Sequence, residues 1–383
     1  MLRSAPLLAA ILLAGLTFAC VPPPPPPPVA AGGAKLGTTG ICTAGQNDSD
    51  TKFAAAVQVL QPNYNPSDDP TEPPLKHVQS YHLRKEIIAD LEDAFRHAPL
   101  IVQKDLCGLT GVFIDPTGCP NNTDVNNCSP FDIQLFSQNR SWGFRGPSRN
   151  NNSKGDTYIA ISGGLWPSGG DSHASLFSDY QRSIIRHFAR LVTVKAEPDN
   201  SWLTVLAALA HELGHVRRAQ IAIPGGYGTG YDFTRLKKCP VDGDEIDFYS
   251  GWSHGSGADD KKLQPRHRWR HLDDNSNNDN TITRYKNMQL RSGHKESKAY
   301  RIYQADQPWA SLFGAQNPDE DFAETYALYA LIGKKFDDGS FDGNYLQHLW
   351  VWIGLDWPVD VPGDILSGGR NTLAKKIKCL KVL

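Results

Sequence analysis

One five-residue pattern constrains this chain more than any other part of its sequence. His211-Glu212-Leu213-Gly214-His215 lies in the segment Trp202–Ala219, whose apolar spacing predicts a strongly buried helix. Histidines four residues apart share one helical face, so both imidazoles can reach the same metal ion. With 12 His and 9 Glu in 383 residues, chance alone would produce about 0.01 such patterns per chain. A buried pair of histidines without a metal ion or other partners would be costly, so the pattern predicts a metal site.

Glutamate is scarce in this chain, and its placement is therefore informative. The 41 acidic residues divide into 32 Asp and 9 Glu. One of the nine is Glu212, and two more, Glu320 and Glu324, lie four residues apart in the predicted helix Pro318–Lys334. Their carboxylates share a helical face and repel each other unless a positive charge lies beside them. We therefore expect Glu320 to be the third metal ligand and Glu324 to orient a ligating imidazole.

Two alternatives compete with this assignment of the third ligand. Asn317, Pro318 and Glu320 have the order of a helix N-cap, first residue and capping-box partner, which is a purely structural use of Glu320. Capping does not explain Glu324, nor the choice of scarce Glu over abundant Asp. Asp232 is a weaker rival ligand, because it lies one place later than the aspartate of the Gly-Thr-x-Asp pattern that some zinc peptidases use.

Together, the two motifs resemble those of the gluzincin metallopeptidases, and in particular the catalytic domain of the anthrax lethal factor type. The resemblance covers the motifs and not the whole chain. It implies a zincin-like α+β domain in which the motif helix lies against a small mixed sheet. It also implies one Zn²⁺ per chain, held by His211, His215 and Glu320, with Glu212 as the general base for an attacking water.

The same resemblance raises the question of a further hydrogen-bond donor at the site. In that family a tyrosine seven residues before the ligating glutamate assists catalysis, and the matching residue here is Phe313, which has no hydroxyl group. Another residue would then have to donate to the developing oxyanion. The candidates are Tyr303, His294 and Tyr326.

The N-terminus has the features of an export signal. Arg3 precedes an apolar run, Leu7–Phe18, that is too short to span a bilayer, and a small-x-small cleavage site ends at Ala19. We expect residues 1–19 to be a signal peptide. Cys20 follows the cut, which favours either a lipid anchor at that residue or plain secretion. Residues 20–45 read as a Cys/Pro-rich linker that contains a run of seven prolines.

Residues 46–383 are expected to form one catalytic domain with a loop-rich insertion at about 224–300. Helices and short strands are mixed without a regular βαβ alternation, which favours an α+β fold. Further helices are predicted at His82–His97, Phe177–Val194 and Tyr345–Ile353, and strands at Leu109–Ile114, Phe131–Phe136 and around Tyr158–Ser162. This last strand could be an exposed edge that pairs with a substrate, or a simple core strand.

The cysteine count favours an oxidising compartment. If Cys20 is lipidated or removed, six of the seven cysteines remain, which permits three disulfides. Cys107, Cys119 and Cys128 are close enough in sequence to form one local loop, but the sequence leaves the pairing open.

The function expected from these features is that of an exported zinc-dependent peptidase in the cell envelope or secreted from the cell. Its partners would be protein or peptide substrates, including cell-wall peptides, and a membrane only through a lipid on Cys20. A net charge of -2 gives no reason to expect nucleic-acid binding. The alternative is a zinc-bearing envelope binding protein that is catalytically weak or inactive.

Overall fold

Helices and strands are mixed along the chain, which confirms the α+β class. The computed structural model describes residues 40–61, 64, 74–116, 142–145, 157–167, 173–186, 191–222, 239–241, 244–246, 309–312, 314, 318–338, 345–353 and 358–380. The helices are α1 (Ser49–Ala56), α2 (Lys85–His97), α3 (Leu100–Cys107), α4 (Phe177–Arg186), α5 (Ser201–Ala222), α6 (Pro318–Asp338), α7 (Val361–Leu366) and α8 (Asn371–Leu380). The strands are β1 (Val57–Leu60), β2 (Val78–Gln79), β3 (Gly111–Asp115), β4 (Trp142–Arg145), β5 (Thr157–Ser162), β6 (Val192–Glu197), β7 (Cys239–Val241), β8 (Asp244–Ile246), β9 (His348–Ile353) and β10 (Val359–Asp360).

A five-stranded mixed sheet with the order β2-β1-β3-β5-β4 lies beside the metal-motif helix. Strands β1, β3 and β5 are parallel, and the two outer strands β2 and β4 are antiparallel to their neighbours. Every residue of β3 and β5 is buried. Their continuous apolar sequences fit this position, because strands covered on both faces lose the alternation of polar and apolar residues.

The prediction that Tyr158–Ser162 could be an exposed edge strand is wrong. This segment is β5, which pairs with β3 on one side and with β4 on the other. Its backbone hydrogen-bonding groups are therefore used within the sheet. Strand β4 takes the edge position next to it.

The predictions of a helix at Tyr345–Ile353 and of one reaching to Val194 are also wrong. The first segment contains β9 and the second ends as a helix at Arg186, after which β6 begins at Val192. β6 and β9 pair along their whole length in a three-stranded antiparallel sheet with β10. Short apolar runs rich in β-branched and aromatic residues do not distinguish a helix from a strand until a pairing partner is known.

Helix α5 runs through the core of the domain. Its residues from Trp202 to Ala210 are all buried, and it packs against α2, α6 and the sheet. The predicted helices at Trp202–Ala219, Pro318–Lys334 and His82–His97 are confirmed as α5, α6 and α2. Among the residues that the structure describes, no helix has both the length and the apolar character needed to cross a lipid bilayer.

A disulfide joins Cys42 to Cys107 across 65 residues of sequence. Cys107 therefore does not take part in the local loop with Cys119 and Cys128 that the sequence suggested, and these two cysteines lie outside the described residues. Closing a loop of this length in the unfolded chain stabilises the fold by about 4 kcal/mol in the chain-entropy estimate. Ile41, Cys42 and Ala44 contact the core, so residues 40–45, predicted as the end of the linker, take part in the fold.

Asp90 on α2 holds three separate segments of the fold together. Its side chain is 2% exposed. One carboxylate oxygen accepts hydrogen bonds from Trp166 Nε1 at 3.0 Å and from the backbone amide of Ala174 at 2.7 Å. The other accepts from Ser201 Oγ at 2.7 Å and lies 3.0 Å from His173 Nδ1. Asp90 thereby fixes the first residue of α5 against α2.

We predict that Asp90→Asn lowers the free energy of unfolding by about 3 kcal/mol, because charge-assisted hydrogen bonds are lost and an amide group faces buried donors. Urea-induced unfolding measures this change. His211 lies ten residues further along α5, so any zinc affinity of the predicted metal site should stay within about twofold of wild type. A change in stability below about 0.5 kcal/mol, the range of ordinary surface substitutions, would contradict this role for Asp90.

Candidate metal centre

Helix α5 presents both motif histidines on the face that α6 covers. The side chains of His211 and His215 are 15% and 19% exposed, so each keeps limited access to solvent within a largely buried helix. Helices α5 and α6 are in contact with each other. A Cβ atom on Gly214 would lie 2.7 Å from the Cα atom of Ala323. Only glycine therefore allows the two backbones to approach this closely, and that approach brings the acidic face of α6 to the histidines.

Three potential ligand atoms form a small triangle at this contact. His211 Nε2 and His215 Nε2 lie 3.2 Å apart. Glu320 Oε2 lies 3.4 Å from His211 Nε2 and 3.7 Å from His215 Nε2. In the described part of the chain, these residues are the one group of three or more His, Cys, Asp or Glu side chains gathered closely enough to hold a metal ion.

The size of the triangle suits a metal ion better than a hydrogen-bond network. Charge-assisted hydrogen bonds between nitrogen and a carboxylate are about 2.7–2.9 Å long, and both separations from Glu320 exceed that. Ligands about 2.0–2.1 Å from a tetrahedral zinc ion lie about 3.3–3.4 Å from one another. The three observed separations of 3.2, 3.4 and 3.7 Å bracket this value. The residues present therefore fit zinc, with the fourth position open.

Glu324 makes a short contact with one of the two motif histidines. Its Oε1 atom lies 2.7 Å from His211 Nδ1, which donates the hydrogen bond. With the proton held on Nδ1, the lone pair of Nε2 points towards the triangle. Hydrogen bonds from His211 and from Ser311 lower the pKa of Glu324, although burial alone would raise it. The role predicted for Glu324 from its spacing thus matches a specific contact.

The electrostatics of the site favour a cation. Burial alone would lower the pKa of His211, but the hydrogen bond to Glu324 and the charges of Glu324 and Glu320 raise it overall. The two carboxylates thus favour a positive charge at this place. A metal ion bound there would supply such a charge. Glu212 adds a third carboxylate, and it is 5% exposed.

Tyr180 on α4 is within electrostatic range of Glu324 and Glu212, and the sequence did not single it out. It packs against the hydrophobic core, and α4 lies against α5. Burial raises the pKa of Tyr180 well above its ordinary value, and the carboxylates of Glu324 and Glu212 raise it further. No local sequence signal marks Tyr180 or Ser311, because each reaches the site from an element that is distant in the chain.

The other residues predicted for the site have different placements. The hydroxyl group of Tyr326 is buried and donates to Asp105 Oδ2 at 2.6 Å, away from the triangle. Tyr303, His294, Phe313 and Asp232 lie outside the described residues. Pro318 begins α6 as predicted, and Asn317, the expected cap, also lies outside them.

Comparisons with protein-family models, with curated proteins and with solved structures return no match for this chain. The assignment of the site therefore depends on its own geometry and on the spacing of its residues.

We predict that Gly214→Ala weakens zinc binding by about 10-fold or more, because the added methyl group forces α6 and Glu320 away from the histidines. Competition with a chromogenic chelator measures the affinity. Gly368→Ala is the matched control, since a Cβ there has nothing within 4 Å and only the positive φ of 83° is strained. Zinc affinity equal to that of wild type in Gly214→Ala would show that close helix approach is not required.

Proposed function

We propose that this protein is a zinc-dependent peptidase of the gluzincin type. The observation that carries the proposal is the triangle of His211, His215 and Glu320, supplied by two helices and sized for zinc. Glu212 lies between the two histidines in the sequence and is a natural general base. Held by His211, His215 and Glu320, a zinc ion would supply Lewis acidity to a scissile carbonyl and would lower the pKa of a coordinated water to about 7.

The residues of the chain divide the remaining chemistry among them. Glu212 accepts the proton of the attacking water and delivers it to the leaving amine. Glu324 keeps His211 in one tautomer and one orientation throughout. Tyr180 lies on α4, which packs against α5, and burial and the carboxylates of Glu324 and Glu212 raise its pKa, so we assign it as the donor to the oxygen of the substrate carbonyl. We assign the oxyanion donor to α4 and not to Tyr326, because the hydroxyl group of Tyr326 donates its hydrogen bond to Asp105.

A zincin-like arrangement is part of the same proposal. Its support is a mixed sheet whose antiparallel edge strand β4 contacts the metal helix α5. Among the described strands β4 is the outermost, and an extended peptide pairing with its outer edge would lie on the strand that contacts α5, with main-chain hydrogen bonds giving affinity. In this proposal β4 takes the substrate-pairing role first expected of β5, because β5 is paired on both sides.

Export to the cell envelope or the medium is also proposed. The apolar N-terminal run supports it, together with the Cys42–Cys107 bond and a further disulfide that involves Cys379. Disulfides of this kind persist in oxidising compartments. Whether Cys20 carries a lipid or the protein is simply secreted is decided by mass spectrometry of the mature N-terminus.

We predict that metal binding and hydrolysis separate cleanly by mutation. His211→Ala and Glu320→Ala should lose the bound zinc, as measured by elemental analysis. Glu212→Gln should retain one zinc ion per chain and lose about 10²–10⁴-fold in kcat/KM, because the general base is absent. The control Glu197→Gln changes an exposed carboxylate on β6 and should alter neither quantity. Zinc retained by Glu320→Ala would show that the third ligand is another residue, such as Asp232.

The enzyme and the zinc-bearing binding protein are distinguished by one assay. The zinc-loaded full chain is incubated with a mixture of denatured proteins and, separately, with cell-wall peptides, with and without a chelator. Chelator-sensitive cleavage of either substrate supports the peptidase. One zinc ion per chain without cleavage of either favours the catalytically inactive alternative.

We predict that Tyr180→Phe lowers kcat by about 10²-fold with zinc content unchanged, because one donor to the oxyanion is removed. Steady-state kinetics on the cleaved substrate measure this. Tyr81→Phe, at a partly buried tyrosine packed elsewhere on the core, is the matched control. If kcat and KM of Tyr180→Phe equal those of wild type, Tyr180 serves packing alone.

A further inference from the structure

A buried carboxylate connects the two helices that carry the metal ligands. Asp105 on α3 is 5% exposed. Its Oδ2 atom accepts a hydrogen bond of 2.6 Å from Tyr326 on α6. Its Oδ1 atom lies 3.7 Å from Arg217 Nη1 on α5. One side chain of a third helix therefore bonds to both metal-bearing helices.

The attachment points are close to the metal centre in each helix. Arg217 follows His215 by two residues, and Tyr326 follows Glu324 by two residues. With a rise of about 1.5 Å per residue, each point lies roughly 3 Å along the helix axis from a residue of the site. A shift of Asp105 would therefore move α5 and α6 relative to each other where the ligand separations are set.

Helix α3 itself is held in place largely from outside. It has eight residues and no side-chain hydrogen bond at its N-cap, and helices of this length are marginal on their own. Its last residue is Cys107, two residues after Asp105, which is bonded to Cys42. A Cβ on Gly40 would lie 1.6 Å from the carbonyl oxygen of Cys107, so residues 40–42 run directly along the end of α3.

The segment that carries Cys42 is in turn fixed to α1. Ser49 Oγ, at the start of α1, donates to the carbonyl oxygen of Thr43 at 2.5 Å and accepts from the amide of Gln46 at 2.9 Å. The disulfide therefore ties α3 to an anchored segment. The resulting connection runs from Cys42 through Cys107 and Asp105 to the two helices of the metal centre.

We propose that Asp105 is a positioning residue for the metal centre, and that the Cys42–Cys107 disulfide holds it in place, so that full metal affinity requires the oxidised chain. The inference rests on the proposed function, because it assumes that His211, His215 and Glu320 hold zinc. In forming the bond, the two thiols lose two electrons and two protons to a small-molecule or protein disulfide. That oxidant is reduced to two thiols.

The first test compares two buried aspartates. Asp105→Asn keeps the size of the side chain and loses the charge that faces Arg217 and Tyr326. Asp90→Asn is the matched control, since Asp90 is equally buried and also contacts α5, but at Ser201, far along the helix from the ligands. Zinc affinity of the full chain is measured by chelator competition, and the visible spectrum of the cobalt-substituted protein reports ligand geometry.

We predict that Asp105→Asn weakens zinc binding by about 10–100-fold and alters the cobalt spectrum, as loss of an outer-sphere contact does at metal sites. Asp90→Asn should keep both within error of wild type, although it is less stable. If Asp105→Asn does not fold, Tyr326→Phe and Arg217→Gln each remove one arm of the connection and are measured in its place. Wild-type affinity in all of these variants would overturn the inference.

The second test concerns the disulfide. Cys42→Ser/Cys107→Ser, or wild type treated with a mild reductant, should lose zinc affinity in the same direction. Adding Asp105→Asn in that background should cost little more, since both changes act on the same connection. Unchanged affinity after reduction, or full additivity, would refute the dependence on the disulfide. A wild-type chain that binds no zinc would instead refute the proposed function itself, so the two failures are distinguishable.

Discussion

The close contact between α5 and α6 is the constraint on which the rest of the site depends. Gly214 lies inside the histidine motif and faces Ala323, which lies between the two glutamates of α6. Each helix therefore has a small residue at the place where its His or Glu side chains face the other helix. We interpret the sheet, the disulfide and the buried ion pairs as the contacts that hold the two helices at this separation.

Charge is the second determinant of the site. Glu320 and Glu324 lie beside the two imidazoles, which have little exposure to solvent, and the buried Glu212 belongs to the same motif. Burial of several carboxylates is unfavourable unless a cation or proton compensates for them. Elsewhere on α6, the buried carboxylate of Asp321 is compensated by the ammonium group of Lys376, at 2.6 Å. At the triangle itself the geometry favours a shared ion instead of a side-chain cation.

Much of the site could be predicted from the sequence, but little of what supports it. The histidine motif and the two glutamates of α6 are periodic within single helices, so local spacing is enough to identify them. Glu324 contacts the imidazole of His211, as its spacing led us to expect. The proximity of Tyr180, Ser311 and Asp105 to these helices was not predicted, because it arises only when α4, the segment before α6, and α3 come together in space. The strands β6 and β9 were mistaken for helix for a related reason, since their partner is defined by the fold and not by neighbouring residues.

The spacing of the ligands along the chain has a consequence for how the protein acquires its metal. His211 and His215 belong to one helix, whereas 104 residues separate His215 from Glu320. Bringing such distant segments together is slow compared with forming a helix, because the entropy of a long loop must be overcome first. Under the proposed function, an unfolded chain brings together only His211 and His215 of the three ligands, which is a weaker site than the folded centre. An exported chain would then bind its metal only where folding is completed.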